Sequence, residues 1–207
     1  MTNGLKETKI INYLDEIFPN PKCELNYNKD YELLIAVVLS AQTTDKKVNE
    51  VTSVLFKKYD TLKKISEADI KDLEDIIRPI GIVKKSVYIK GIARYLVDNC
   101  DSKVPCDKDV LLNLPGVGIK TINVVLSNLY DYPAIAVDTH VSRVSKRLGY
   151  AKDSDDPIVI EKKLENKFPK DRWAKLHHQL VLFGRYYCKS SKPLCETCKI
   201  KDFCKYK

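Results

Sequence analysis

Apolar residues return at helical spacing along almost the whole chain. Ile10, Leu14, Ile17 and Phe18 share one face of a first helix, which Pro19 and Pro21 bring to an end. From Leu33 to Leu39 the run is apolar on every side. The period alone therefore fits a buried strand as well as a buried helix, and the helical patterns around it decide for helix. After Asp45, the residues Val48, Val51 and Leu55 fall on one face. Ser66 with Asp69 gives a capping-box-like start for Ile70, Leu73, Ile76 and Ile77, and Gly81 stops that helix. A further helix carries Val87, Gly91, Ile92 and Leu96, and a short one Val110, Leu111 and Leu114.

The pattern resumes with Ile119, Ile122, Val125, Leu126 and Leu129 as far as Asp131-Tyr132-Pro133, then with Val141, Val144 and Leu148 as far as Gly149. Pro157 suits a first helical position ahead of Leu164 and Phe168. The last long helix holds Trp173, Leu176, Leu180, Val181 and Phe183. No two alternating segments meet at a hairpin turn, although Ala134 to Val137 can form a short extended piece. The pattern predicts an all-α protein. With no low-complexity segment and no Gly/Ser-rich linker, two lobes would pack closely, and the Pro133 region is the best internal boundary.

At 207 residues the chain is long enough for one large or two small domains with real cores, so it needs no disulfide scaffold. Lys and Arg exceed Asp and Glu by 36 to 28, a net charge of +8. This favours a polyanionic partner, although a lysine-rich solvated surface has the same charge. No stretch approaches the roughly 20 apolar residues of a membrane span, and the first residues lack the apolar core of a signal peptide. A cytoplasmic protein is the expectation. Of the seven cysteines, Cys23, Cys100 and Cys106 are scattered, whereas Cys188, Cys195, Cys198 and Cys204 crowd the end of the chain. In a cytosolic chain such crowding suggests metal ligation, and the other three are read as structural or incidental thiols.

Leu114-Pro115-Gly116-Val117-Gly118 lies between two helical segments. Its glycines permit conformations closed to other residues and bare the main-chain amides, so the turn can hold an anion at the next helix's N-terminus. A tight interhelical turn would use the same glycines. Lys120 follows in the first turn of the new helix. An amine is a nucleophile only when neutral, a form that a helix N-terminus, partial burial and nearby cations favour. A lysine there can equally be a cation pairing with phosphate. Asp138 follows Ile135-Ala136-Val137 and precedes Thr139-His140, where it can cap a helix. A carboxylate can also deprotonate an attacking amine and stabilise an oxocarbenium-like sugar.

Together these segments resemble the endonuclease III family of helix-hairpin-helix DNA glycosylases. The resemblance rests on Leu114 to Gly118, Lys120, Val137-Asp138-Thr139-His140, four cysteines spaced C-x6-C-x2-C-x5-C, and Leu39-Ser40-Ala41-Gln42-Thr43-Thr44-Asp45. It implies that Lys120 attacks C1′ of a damaged nucleotide, with Asp138 as acid/base and electrostatic partner. The resulting imine would then cut the strand 3′ to the site by β-elimination. The target base must leave the stack. By the same resemblance Gln42 fills the vacated space and Ile82 wedges into the opposite strand; ordinary turn packing is the alternative for Ile82. Leu114, Gly116, Gly118 and His140 are expected at the DNA. Arg143 and Arg147 share a face near His140, as DNA contacts or as solvated cations.

Four close thiolates are compatible with a [4Fe-4S] cluster at the family's spacing, whereas structural zinc usually takes two close pairs set a dozen or more residues apart. Lys189, Lys192 and Lys199 make that loop basic, suited to phosphates. His177-His178 is read as core-edge packing.

The fold implied is all-α and two-lobed, with a six-helix lobe over about 22–131 and a discontinuous cluster lobe of 1–21 and 132–207, the active site lying between them. The expected partner is duplex DNA carrying damaged pyrimidines or abasic sites, bound by a monomer. An adenine-mismatch enzyme would typically lack the lysine and carry an added C-terminal domain. A thymine-mismatch or pyrimidine-dimer glycosylase on the same scaffold, or a non-catalytic iron-sulfur DNA-binding module, are the other readings. Ile119 stands where the family commonly has arginine, a change that would weaken a phosphate contact, and Ile122 where alanine is common.

Overall fold

The computed structural model describes residues 3–206, and among them every regular element is helical. The α-helices are α1 Asn3–Ile17, α2 Asp30–Ser40, α3 Asp45–Lys58, α4 Leu62–Glu67, α5 Ile70–Ile77, α6 Lys85–Asn99, α7 Lys108–Leu112, α8 Ile119–Tyr130, α9 Thr139–Arg147, α10 Pro157–Glu165 and α11 Trp173–Leu182. Contacts divide the chain into two compact units. One is continuous, Cys23–Tyr130; the other joins the segment ending at Lys22 to the segment beginning at Asp131.

In the continuous unit α2 is the central element. Every residue from Tyr31 to Leu39 is buried, which explains why the run is apolar all round, and α3, α6 and α8 pack against it. Its start is fixed by two carboxylates: Asp30 accepts from the Val104 amide at 2.7 Å, and Glu32 accepts from the Asn28 amide at 2.7 Å. The capping-box reading of Ser66 is corrected. Ser66 lies inside α4, with its hydroxyl donating to the Lys63 carbonyl, while Asp69 alone caps α5 by accepting from the Lys71 and Asp72 amides. One carboxylate there satisfies two amides that would otherwise lack partners, so no second cap is needed. The phase of α6 also differs from the expectation: Ile89, Ile92, Ala93 and Leu96 are buried, and Val87 is exposed.

The second unit is built on a core of Ile10, Leu14, Val141, Val144, Ile160, Leu164, Leu176, Leu180 and Phe183, drawn from α1, α9, α10, α11 and the residue that follows. Ala134 to Val137 is buried chain with no regular secondary structure. Asp156 caps α10 and Pro157 is its first residue. His177 is buried and stacks edge-on against His178, 4.9 Å between centroids. After Leu182 the helix widens into a π-turn, Phe183–Tyr187, closed by the Cys188 amide donating to the Phe183 carbonyl at 2.7 Å. Gly184 lets this turn pack closely on α9, because a β-carbon there would lie 2.8 Å from His140 Cβ.

Candidate active site and DNA interface

The hairpin between α7 and α8 is fixed from one side and open on the other. Leu114 and Val117 are buried, and the Val117 amide donates to the Leu114 carbonyl at 3.2 Å. Leu114 therefore packs the turn, and its side chain is not available to a ligand. Gly116 has φ +74, and a β-carbon on it would meet Tyr88 Cδ2 at 2.5 Å. Gly91 receives Pro115 in the same way, at 2.9 Å. Through these two contacts α6 seats the hairpin. Gly118 is different: a β-carbon there meets nothing within 4 Å, and its carbonyl accepts from the Ile122 amide at 3.0 Å, which places Gly118 at the start of α8. The first amides of α8 have no intrahelical acceptor, the arrangement that lets a helix start receive an anion. Gly118, Ile119 and Lys120 are all exposed, so the partial burial expected for Lys120 is absent.

Two more turns of the same unit carry expected interface residues. Gln42 is exposed at φ +66, a left-handed conformation uncommon for a residue with a side chain. Ile82 follows Gly81, whose φ is +89, and is half-buried.

In the second unit Asp138 caps α9, its Oδ1 accepting from the Val141 amide at 2.8 Å. The capping role is therefore real, and it leaves Oδ2 with no hydrogen bond to the described residues. His140 is half-buried and its Nδ1 accepts from Arg143 at 3.2 Å. The two arginines expected as DNA contacts or solvated cations are engaged inside the unit. Arg143 donates to the carbonyls of Cys188 at 3.1 Å and Gly184 at 2.6 Å. Arg147 donates to Cys188 Sγ at 3.3 Å, to the Lys189 carbonyl at 2.6 Å and to the Ser190 carbonyl at 3.2 Å, and lies over the Tyr206 ring at 3.9 Å. The chain leaving the π-turn has carbonyls without helical partners, and these guanidinium groups supply the donors. No motif signalled that need, because a π-turn has no sequence mark.

Cys188, Cys195, Cys198 and Cys204 line one cavity of about 60 Å³, together with Arg147, Phe183 and Tyr187. Burial pushes the Cys198 thiol up, and Cys188, Cys204 and Cys195 around it push the same way. Among the described residues no three His, Cys, Asp or Glu side chains converge closely enough to hold a single metal ion. The four thiols thus surround a space instead of meeting at a point. A cavity lined by four thiols offers the donor set that an iron-sulfur centre or a tetrathiolate zinc takes. Lys189 and Lys192 are exposed on the loop, whereas Lys199 pairs with Glu16. Cys23, Cys100 and Cys106 are not among the residues lining that cavity.

Residues 35–170 match the family model of the HhH-GPD superfamily of base excision DNA repair proteins. An endonuclease III of Bacillus subtilis is 42% identical over 193 residues, covering 93% of this chain and 88% of the relative. Two solved structures share 43% identity and cover 99% of this chain and 96% of theirs: a non-covalent endonuclease III–DNA complex, with a TM-score of 0.93, and a trapped endonuclease III–DNA covalent intermediate, with 0.92.

Proposed function

The chain belongs to the endonuclease III family of the HhH-GPD superfamily, a family of DNA glycosylases and abasic-site lyases, and from that premise we propose how its own residues divide the work. Lys120 is the nucleophile, Asp138 the acid/base partner, and oxidised pyrimidines in duplex DNA the substrate. The observation that carries this reading is the open start of α8: an exposed lysine one residue beyond a helix terminus whose glycine leaves room for a DNA backbone.

Asp138 accepts a proton from the Lys120 ammonium, freeing the amine. The nitrogen lone pair forms a bond to C1′ as the C1′–base bond breaks, and the base departs with that electron pair and takes up a proton. The nitrogen gives up a proton and its freed pair forms the second C1′–N bond as the C1′–O4′ bond breaks and O4′ takes up a proton, which leaves a protonated protein–sugar imine. Loss of a C2′ proton places a pair between C2′ and C3′, and the 3′-phosphate leaves with the C3′–O pair. The amides at the start of α8 hold a phosphate oxygen while this happens.

A [4Fe-4S] cluster fits Cys188, Cys195, Cys198 and Cys204, and when bound it would supply a rigid crosslink for the loop that presents Lys189 and Lys192 to phosphates. The protein acts as a monomer where the DNA is. Among the described residues no helix is long and apolar enough to cross a membrane.

Borohydride reduction on a duplex carrying thymine glycol tests the reading. Wild-type protein is expected to form a covalent adduct that Lys120→Ala does not form. An equal adduct in both variants overturns the assignment of this lysine. Release of mismatched thymine in preference to thymine glycol would overturn the lesion class. Iron by elemental analysis, with zinc absent, is the expected metal content.

A further inference from the structure

Lys85 is the one buried lysine among the described residues, only 4% exposed, and burial pushes its pKa down. Its ammonium donates to the Leu39 carbonyl at 2.8 Å and the Ala41 carbonyl at 2.5 Å, the C-terminal end of α2. A cation is favoured at that end of a helix, but taking it out of water is costly, and an apolar side chain of equal length would fill the same space without the cost. Something other than packing therefore requires the charge.

The turn that the ammonium braces is the one bearing Gln42. Helices commonly end on a glycine when the chain must enter the left-handed region. Here Ala41 and Gln42 stand in that place, and Gln42 takes φ +66 at a cost of roughly 1 kcal/mol or more. Lys85 supplies the donor that the carbonyls of Leu39 and Ala41 accept from, and so holds such a turn. Its main chain holds another turn as well, since the Lys85 amide donates to the Ile82 carbonyl at 3.1 Å and closes the bend after Gly81. One residue thus ties the Gln42 turn through its side chain and the Ile82 turn through its backbone.

We propose that Lys85 is a positioning residue for base extrusion, holding the Gln42 and Ile82 turns at the one spacing that fits an opened base pair. This rests on the reading of Gln42 and Ile82 as the residues that enter the duplex. Lys85 itself touches no substrate. Its effect belongs to the step that empties and refills the stack, and a single-stranded substrate has no such step.

The decisive measurement is the ratio of borohydride-trapping rates on a duplex abasic site and on the same strand unpaired, using the full-length protein with its metal centre. The unpaired strand is the internal reference for the fraction of protein that is folded and active. Lys85→Met is expected to lower the ratio roughly tenfold, as a misplacement well under 1 Å would. Lys85→Arg, which keeps a donor at the carbonyls, is expected to recover most of it. If Lys85→Met does not fold, Lys85→Gln keeps one donor and is expected to give a smaller fall. Gln42→Ala separates the premise from the proposal. A lowered ratio in Gln42→Ala with an unchanged ratio in Lys85→Met overturns the proposal and leaves the premise standing. An unchanged ratio in Gln42→Ala overturns the premise.

Discussion

The ring of Tyr88 occupies the space a β-carbon on Gly116 would need, 2.5 Å from that position, whereas the matching space at Gly118 is empty. The protein's own packing therefore requires the glycine at 116 and not the one at 118. Gly116→Ala is expected to lose about 2–4 kcal/mol of stability, from overpacking against Tyr88 and from strain at φ +74. Gly118→Ala is expected to stay within about 0.5 kcal/mol of wild type. In the proposed reading its cost appears as weaker binding to duplex carrying an abasic-site analogue, since the added methyl would stand on the face assigned to the DNA backbone. Urea titrations and binding curves on both variants check this, and unchanged DNA affinity in Gly118→Ala would count against the open face as the phosphate site.

The difference between the two glycines was not legible in the sequence, where both marked a turn. Helix existence was: the periodic segments around Ile10, Val48, Leu73, Val125, Val144 and Leu176 are helices with those residues buried. The failures have physical causes. Asp69 outcompeted Ser66 as a cap because one carboxylate satisfies two amides. Lys85 left no trace, because a lysine between exposed Lys84 and an apolar segment reads as surface, and only tertiary packing brings the end of α2 to it. Arg143 and Arg147 read as surface cations because the carbonyls they satisfy belong to a π-turn and the chain leaving it, about 40 residues away, a distance no local pattern spans.

Asp138 has a structural duty that can be separated from its chemistry. Its Oδ1 accepts the Val141 amide at 2.8 Å and begins α9, the helix whose later turns grip the Cys188 segment through Arg143 and Arg147. Asparagine caps as well as aspartate, so Asp138→Asn is expected to keep stability within a few tenths of a kcal/mol while losing most of the base-release rate. Asp138→Ala is expected to lose both, with about 1 kcal/mol from the missing cap. Thermal melts beside single-turnover rates distinguish the two. Equal rates in Asp138→Asn and wild type would remove the carboxylate from the mechanism.

Acid sensitivity of the second unit should trace to Asp15. Burial alone would raise its pKa, but hydrogen bonds from Arg172, Lys175 and Gln179 outweigh it and hold the carboxyl well below the usual carboxylate range. Arg172 and Lys175 each approach Oδ1 at 2.7 Å, and Gln179 at 2.9 Å. A carboxyl depressed on folding contributes stability that is fully present above its unfolded value of about 3.9 and is lost as pH falls through the lower folded value. Asp15→Asn removes the charge at every pH. The gap in unfolding midpoint between wild type and Asp15→Asn is therefore expected to be full at pH 6 and to close steadily below about pH 4. The chain's single tryptophan, Trp173, is the first residue of α11, next to Arg172 and on the helix carrying Lys175, so its fluorescence reports this region directly. Parallel midpoint curves for the two proteins down to pH 2.5 would show that the α1–α11 contact draws its acid sensitivity from another carboxylate.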